Sequence, residues 1–125
     1  MTNTKINKPV LGFAAYSGTG KTTLLTNIIP LLKQEGYKIA VIKHAHHSFD
    51  IDSPKKDSYE LRKAGANHML ITSNQRWALM VENNETKEPN IEECIKKLDD
   101  EDIDLILVEG FKTKNIPKIE LHRPI

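Results

Sequence analysis

An α/β fold, with a mostly parallel sheet flanked by helices, is the architecture this sequence predicts. Three observations predict it. Short apolar runs alternate with segments of helical periodicity, the pattern of strand–helix–strand units. A glycine-bearing loop, Ala15-Tyr16-Ser17-Gly18-Thr19-Gly20-Lys21-Thr22, joins the first apolar run to the first helical one. A later apolar run, Asp104-Leu105-Ile106-Leu107-Val108, ends on an acidic residue, Glu109.

Taken in order, residues 10–15 have the continuous apolar character of a buried parallel strand. Leu24, Leu25, Ile28, Ile29, Leu31 and Leu32 then recur at helical spacing, with Gly36 as a natural C′ residue. Pro30 falls inside that pattern and predicts a kink or an early end. A second strand follows over 37–44, built on Ile39, Val41 and Ile42, and then a polar loop over 45–56. Asp57 with Glu60 has the spacing of a capping box that starts a short helix closed by Gly65. Residues 68–72 and 76–81 read as two strands of a hairpin through Ser73-Asn74-Gln75. After a charged linker, Asn90 with Glu93 forms a second capping box. Ile91, Cys94, Ile95 and Leu98 supply the apolar face of that helix. Residues 103–108 and 117–122 complete the strands. Ligands of such sheets bind at the carboxyl ends of the strands, which is where Ser17 and Glu109 fall.

The bulk properties exclude several classes of function. At 125 residues the chain is sized for a single domain with a core of its own. Its 18 basic and 17 acidic residues nearly cancel, so no global field attracts nucleic acid or an anionic membrane. No apolar run approaches the roughly 20 residues of a membrane span, and the N-terminal residues do not resemble a signal peptide. The single Cys94 excludes an internal disulfide and fits a reducing compartment. Composition thus predicts a soluble, cytoplasmic, globular protein.

The loop from Ala15 carries the most chemistry. A nucleoside triphosphate needs several backbone N–H groups aimed inward beside a helix N-terminus, and Gly18 and Gly20 let the backbone curl that tightly. Lys21 supplies a cation for the β- and γ-phosphates, and the Thr22 hydroxyl is placed to ligate Mg²⁺. The pattern's leading glycine is Ala15 here, which costs little if that residue keeps strand dihedrals. The loop, the strand before it and the helix after it together make the expected fold P-loop NTPase-like.

P-loop proteins also use an acidic residue at the end of a neighbouring apolar strand to hold Mg²⁺, and Glu109 supplies it. Asp104, at the opposite end of that strand, reads as a turn residue. In the loop His44-Ala45-His46-His47-Ser48-Phe49-Asp50-Ile51-Asp52, either Asp50 or Asp52 is a candidate to orient water or hold a metal-bound water. The bland alternative is a surface loop with solvated carboxylates. The three histidines lack zinc-site spacing and suit phosphate or partner contacts better. Trp77 and Phe111 read as core or interface residues and are given no chemical role.

Several blocks together resemble the MobB family of molybdopterin-guanine dinucleotide biosynthesis adapter proteins. They are the run from Gly12 to Leu25, Ile42-Lys43-His44-Ala45-His46-His47, the run from Asp57 to Ala66, the run from Gln75 to Met80 and the run from Asp104 to Lys112. The resemblance covers essentially the whole chain. It implies a GTP-binding protein with weak GTPase activity, acting as a homodimer beside the guanylyltransferase that attaches GMP to the pterin of the molybdenum cofactor. By position it implies phosphate and Mg²⁺ contacts from Ser17, Gly18, Thr19, Gly20, Lys21, Thr22 and Thr23. Asp52 and Glu109 match the acidic positions near the metal, while Lys43, His44 and Arg76 match more weakly. Where the family reads Pro-Gly-Lys-Asp-Ser, this chain has Pro54-Lys55-Lys56-Asp57-Ser58. The resemblance also implies a longer protein, whose further strand and guanine-recognising loop would follow residue 122.

Three other readings remain open on the residues alone, one of them a non-catalytic piece that dimerises without turning over nucleotide. A small-molecule P-loop kinase needs an arginine-bearing lid, and Arg62 and Arg76 are the only midchain arginines. A metallochaperone GTPase would rest on the histidine cluster.

Overall fold

The computed structural model describes residues 8–15, 21–45, 56–98, 102–111 and 118–121. Its elements, in chain order, are β1 (Val10–Ala15), α1 (Lys21–Gln34), β2 (Ile39–Lys43), α2 (Asp57–Lys63), β3 (His68–Thr72), β4 (Trp77–Val81), α3 (Ile91–Lys96), β5 (Leu105–Glu109) and β6 (Lys118–Leu121). The chain forms two units, one from residues 1–46 with 89–125 and one from residues 47–88.

In the first unit four parallel strands pair in the order β2-β5-β1-β6. Strand side chains alternate between faces, and β5 distributes its residues accordingly. Leu107 packs with Phe13 and Leu25, against which Leu24, Ile28 and Ile29 of α1 close. Ile106 and Val108 pack on the other face with Val10, Ile91, Ile95 and Phe111. Helix α1 therefore covers one side of the sheet and α3 the other. Topology gives the reason. The chain leaves β1 for the far edge at β2 and then returns to β5. Right-handed crossovers travelling in opposite directions place their helices on opposite faces.

The ends of these elements follow from backbone hydrogen bonding. Helix α1 runs through Pro30 without ending early and stops in a Schellman motif. There the Tyr37 N–H donates to the Leu32 carbonyl at 3.1 Å and the Gly36 N–H to the Lys33 carbonyl at 2.9 Å. Gly36 sits at φ 92°, a conformation that costs an L side chain but not glycine. The Asn90 half of the expected capping box forms at the start of α3, its Oδ1 accepting from the N–H groups of Glu92 (2.9 Å) and Glu93 (3.2 Å). The lead into β5 is pinned to β2: the Lys38 N–H donates to Asp104 Oδ2 at 2.8 Å and the Asp104 N–H to the Lys38 carbonyl at 2.8 Å. Asp104 is thus the turn residue that the sequence suggested. Lys38 also donates to the Asp102 carboxylate, which raises the lysine pKa and lowers the aspartate's. Both side chains are largely solvated, so the pair adds little to stability.

The second unit is α2 with the antiparallel hairpin β3–β4, in the register Met69↔Met80, Leu70↔Leu79 and Thr72↔Trp77. The turn is held by Ser73, whose N–H donates to the Arg76 carbonyl at 2.9 Å and whose Oγ accepts from the Gln75 and Arg76 N–H groups. The capping box expected at Asp57 does not form. Lys56 occupies the N-cap position, with no side-chain cap, and Asp57 is the first helical residue, where its charge favours the helix dipole. Arg62 is buried and reaches Glu82 across 3.6 Å.

Two substitutions should rank in a fixed order in urea unfolding. Asn90→Ala removes one cap and should cost about 1 kcal/mol. Leu107→Ala empties a site only 1% exposed and should cost about 2–5 kcal/mol. Equal shifts in the unfolding midpoint would contradict this account of β5.

Candidate functional site

The carboxyl ends of β1 and β5 meet at the point where the chain departs in opposite directions along the sheet, toward β2 from β1 and toward β6 from β5. Reversals of this kind open the ligand crevice of parallel α/β sheets. Register places Phe13 beside Glu109 and Glu109 beside Lys43. By strand alternation all three project on the α1 face, since Leu107 does. Glu109 is the last residue of β5 and is only 8% exposed. A buried carboxylate is costly unless it is paired, hydrogen-bonded or bound to a cation. This one stands on the side of the sheet whose helix, α1, starts just after β1.

Lys21, Thr22 and Thr23 form the first turn of α1, where backbone N–H groups have no partner within the helix. The N-terminal end of a 14-residue helix adds a partial positive charge to those donors. Ser17, Gly18, Thr19 and Gly20 lie outside the described residues, as do His46, His47, Asp50 and Asp52. Of the acidic candidates the structure therefore places Glu109, and it places the helix start that Lys21 and Thr22 open. Arg76 belongs to the turn of the β3–β4 hairpin. Among the described residues no three His, Cys, Asp or Glu side chains converge on a common point.

Beyond Glu109 the chain turns sharply. Gly110 has φ 90°, and a Cβ there would come within 3.2 Å of the His44 carbonyl oxygen. This left-handed residue also breaks the strand alternation. Phe111, two positions after Glu109, would otherwise share its face; instead it packs with Val10, Ile106 and Val108 on the α3 side. His44 follows it there: the two ring centroids are 4.8 Å apart, tilted by 31°. The His44 N–H donates to the Glu109 carbonyl at 2.9 Å, extending the β2–β5 ladder by one bond. Gly110 and Phe111 were not marked as site residues by sequence. The signal available was a glycine directly after a strand-terminal acid.

A parallel sheet in this order, helices on both faces, a phosphate-loop sequence between β1 and α1, and an acid ending the adjacent strand define a P-loop nucleotide-binding fold. The chain belongs to the MobB family, described as Molybdopterin guanine dinucleotide synthesis protein B, which matches residues 10–125. It is 53% identical over 115 residues to the molybdopterin-guanine dinucleotide biosynthesis adapter protein of Escherichia coli, covering 92% of this chain and 66% of that protein. The protein of the same name from Haemophilus influenzae is 43% identical over 115 residues, covering 92% of this chain and 64% of its own. The chain thus spans just under two thirds of these relatives. The crystal structure of Bacillus subtilis MobB superposes with a TM-score of 0.75 at 22% identity, over 91% of this chain and 68% of that one, which establishes the likeness of fold.

Gly110→Ala should destabilise the protein by about 1–3 kcal/mol, because it forces a left-handed alanine against the His44 backbone. Gly12→Ala is no control for this, since Gly12 is an interior strand residue. The informative comparison is Gly110→Asn, which tolerates positive φ better and should recover part of the loss in thermal denaturation.

Proposed function

We propose that this chain binds GTP with Mg²⁺ and serves as the nucleotide-binding part of an adapter in molybdopterin guanine dinucleotide synthesis. The observation that carries the reading is the buried Glu109 carboxylate at the end of β5, beside β1 and on the face where α1 begins. Family membership and the printed names of the two relatives support the adapter role. Its partner on this reading is the guanylyltransferase that joins GMP to the pterin, met in the cytoplasm.

Each residue then has a distinct task. Ser17, Gly18, Thr19 and Gly20 would offer backbone N–H groups to the phosphates, and Lys21 the cation. Thr22 and Thr23 extend the row of donors into the first turn of the helix. The Thr22 hydroxyl and the Asp52 and Glu109 carboxylates would hold Mg²⁺, an all-oxygen donor set that suits a hard cation. When bound, that ion neutralises charge at the β- and γ-phosphates. A carboxylate such as Asp52 or Glu109 would serve to orient water for slow hydrolysis.

Calorimetric titration with GTP, ATP and GDP in Mg²⁺ tests this directly. Triphosphates should bind through the phosphate loop, and a preference for GTP over ATP would carry the guanine part of the reading. Lys21→Ala should abolish binding. Glu109→Gln should raise the Mg²⁺ concentration needed by roughly tenfold or more while leaving the fold intact. Unaltered affinity in Lys21→Ala would overturn the assignment of the phosphate loop.

The homodimer is the second half of the proposal. Leu70, Trp77, Leu79 and Val81 share one face of the β3–β4 hairpin by register and alternation, and each is at least half exposed within a single chain. An apolar face of that kind is a typical partner-binding surface, and a second copy offers the same face in return. Sedimentation velocity should give a dimer that Trp77→Asp with Leu79→Asp converts to monomer without loss of helical signal. A wild-type chain that sediments as a monomer would remove the dimer from the reading.

A further inference from the structure

We propose that His44 is a positioning residue: through Phe111 and the backbone of Glu109 and Gly110 it sets where the Glu109 carboxylate stands, and so tunes the affinity of the site for Mg²⁺. The inference rests on the nucleotide reading given above. It differs from the roles sequence suggests for this histidine, a phosphate or partner contact, because the ring lies on the wrong side of the sheet for the first. Lys43 shares the α1 face with Glu109, so His44, the next residue, turns toward the α3 face. Its ring meets Phe111 there, 4.8 Å between centroids, and Phe111 is itself 8% exposed within the α3-side core.

One residue thus engages three consecutive residues of the strand end. The His44 N–H is bonded to the Glu109 carbonyl at 2.9 Å. Its carbonyl oxygen lies 3.2 Å from where a Gly110 Cβ would be, a close approach that a side chain could keep only if the His44 backbone gave by a few tenths of an ångström. Its ring covers Phe111. Backbone rotation at Glu109 would have to break the first contact and drag the third, so the three together hold the direction in which the carboxylate leaves the strand. A carboxylate on a site that is preorganised binds a cation more tightly than one that must first be ordered, and supporting residues of this kind typically change metal affinity by 10–100-fold when removed. The ring packs against Phe111, and a benzene ring supplies that packing as well as an imidazole does.

The test is Mg²⁺ titration of GTP binding by wild type, His44→Ala, His44→Phe, Phe111→Leu and the His44→Ala/Phe111→Leu double variant, each also measured without Mg²⁺ in chelator. His44→Ala should raise the Mg²⁺ midpoint by roughly tenfold, leave the chelator-state affinity unchanged, and be rescued to within about twofold by His44→Phe. Phe111→Leu should act in the same direction, and the double variant should be no worse than the poorer single one, since both remove the same contact. A stability loss in urea with an unmoved Mg²⁺ midpoint would overturn the proposal and leave His44 a packing residue. Failure of His44→Phe to rescue would overturn it too, by giving the imidazole a chemical part. If the wild type shows no Mg²⁺-dependent nucleotide binding, the nucleotide reading itself falls and this inference with it. Normal wild-type binding together with an indifferent His44→Ala sinks this inference alone.

Discussion

Strand β5 lies between β2 and β1 with its central residues Ile106, Leu107 and Val108 at 0–1% exposure, and the rest of the first unit is arranged around that burial. No water reaches the middle of such a strand, so each backbone N–H and C=O must find its partner in the ladders to β1 and β2. That requirement holds the register, and the register places Phe13, Glu109 and Lys43 in one row. It also forces one face of the strand against α1 and the other against α3. Each fully buried aliphatic side chain there adds about 1.5–3 kcal/mol, which far exceeds what the solvated Lys38–Asp102 pair offers.

The same strand passes from packing to chemistry within two residues. Val108 closes the α3-side core, Glu109 stands on the α1 side at the strand's end, and Gly110 then reverses the local geometry so that Phe111 returns to the α3 side. That acid lies on the side of the sheet covered by α1, a helix whose N-terminal N–H groups favour negative charge. The left-handed glycine separates the polar end from the apolar return. Without it Glu109 and Phe111 would compete for one face.

The second unit follows different physics. A two-stranded hairpin is marginal by itself, and only Met80 among its strand residues is fully buried. Arg62 contributes a buried guanidinium beside Glu82, and both Arg62 and Lys63 lie near the Tyr59 ring, at 5.7 and 5.0 Å from its centre. The large apolar residues left on the other face of the hairpin are what a monomer would be expected to hide.

Much of this was legible in the residues themselves. Apolar runs and helical spacing located every element to within two residues or so, because burial imposes period 2 or 3.6 on any chain that folds this way. Asn90 announced its helix for a chemical reason, its amide oxygen being the acceptor the first turn lacks. The Asp57 box failed because capping depends on which residue the chain leaves in an extended conformation, and Lys56 took that place. The early end suggested by Pro30 did not occur: the helix continues to Gln34, with Leu24, Leu25, Ile28 and Ile29 before the proline packed toward the sheet. That Glu109 is an acid after an apolar strand could be read directly. That it stands beside β1, on the α1 face, with His44 braced behind it on Phe111, depends on pairing between residues some 65 to 95 positions apart in sequence. Local chemistry determined the elements and the kinds of side chain at their ends. Only the tertiary structure decided which ends meet, because strand order and face are settled by long-range burial that no local pattern contains.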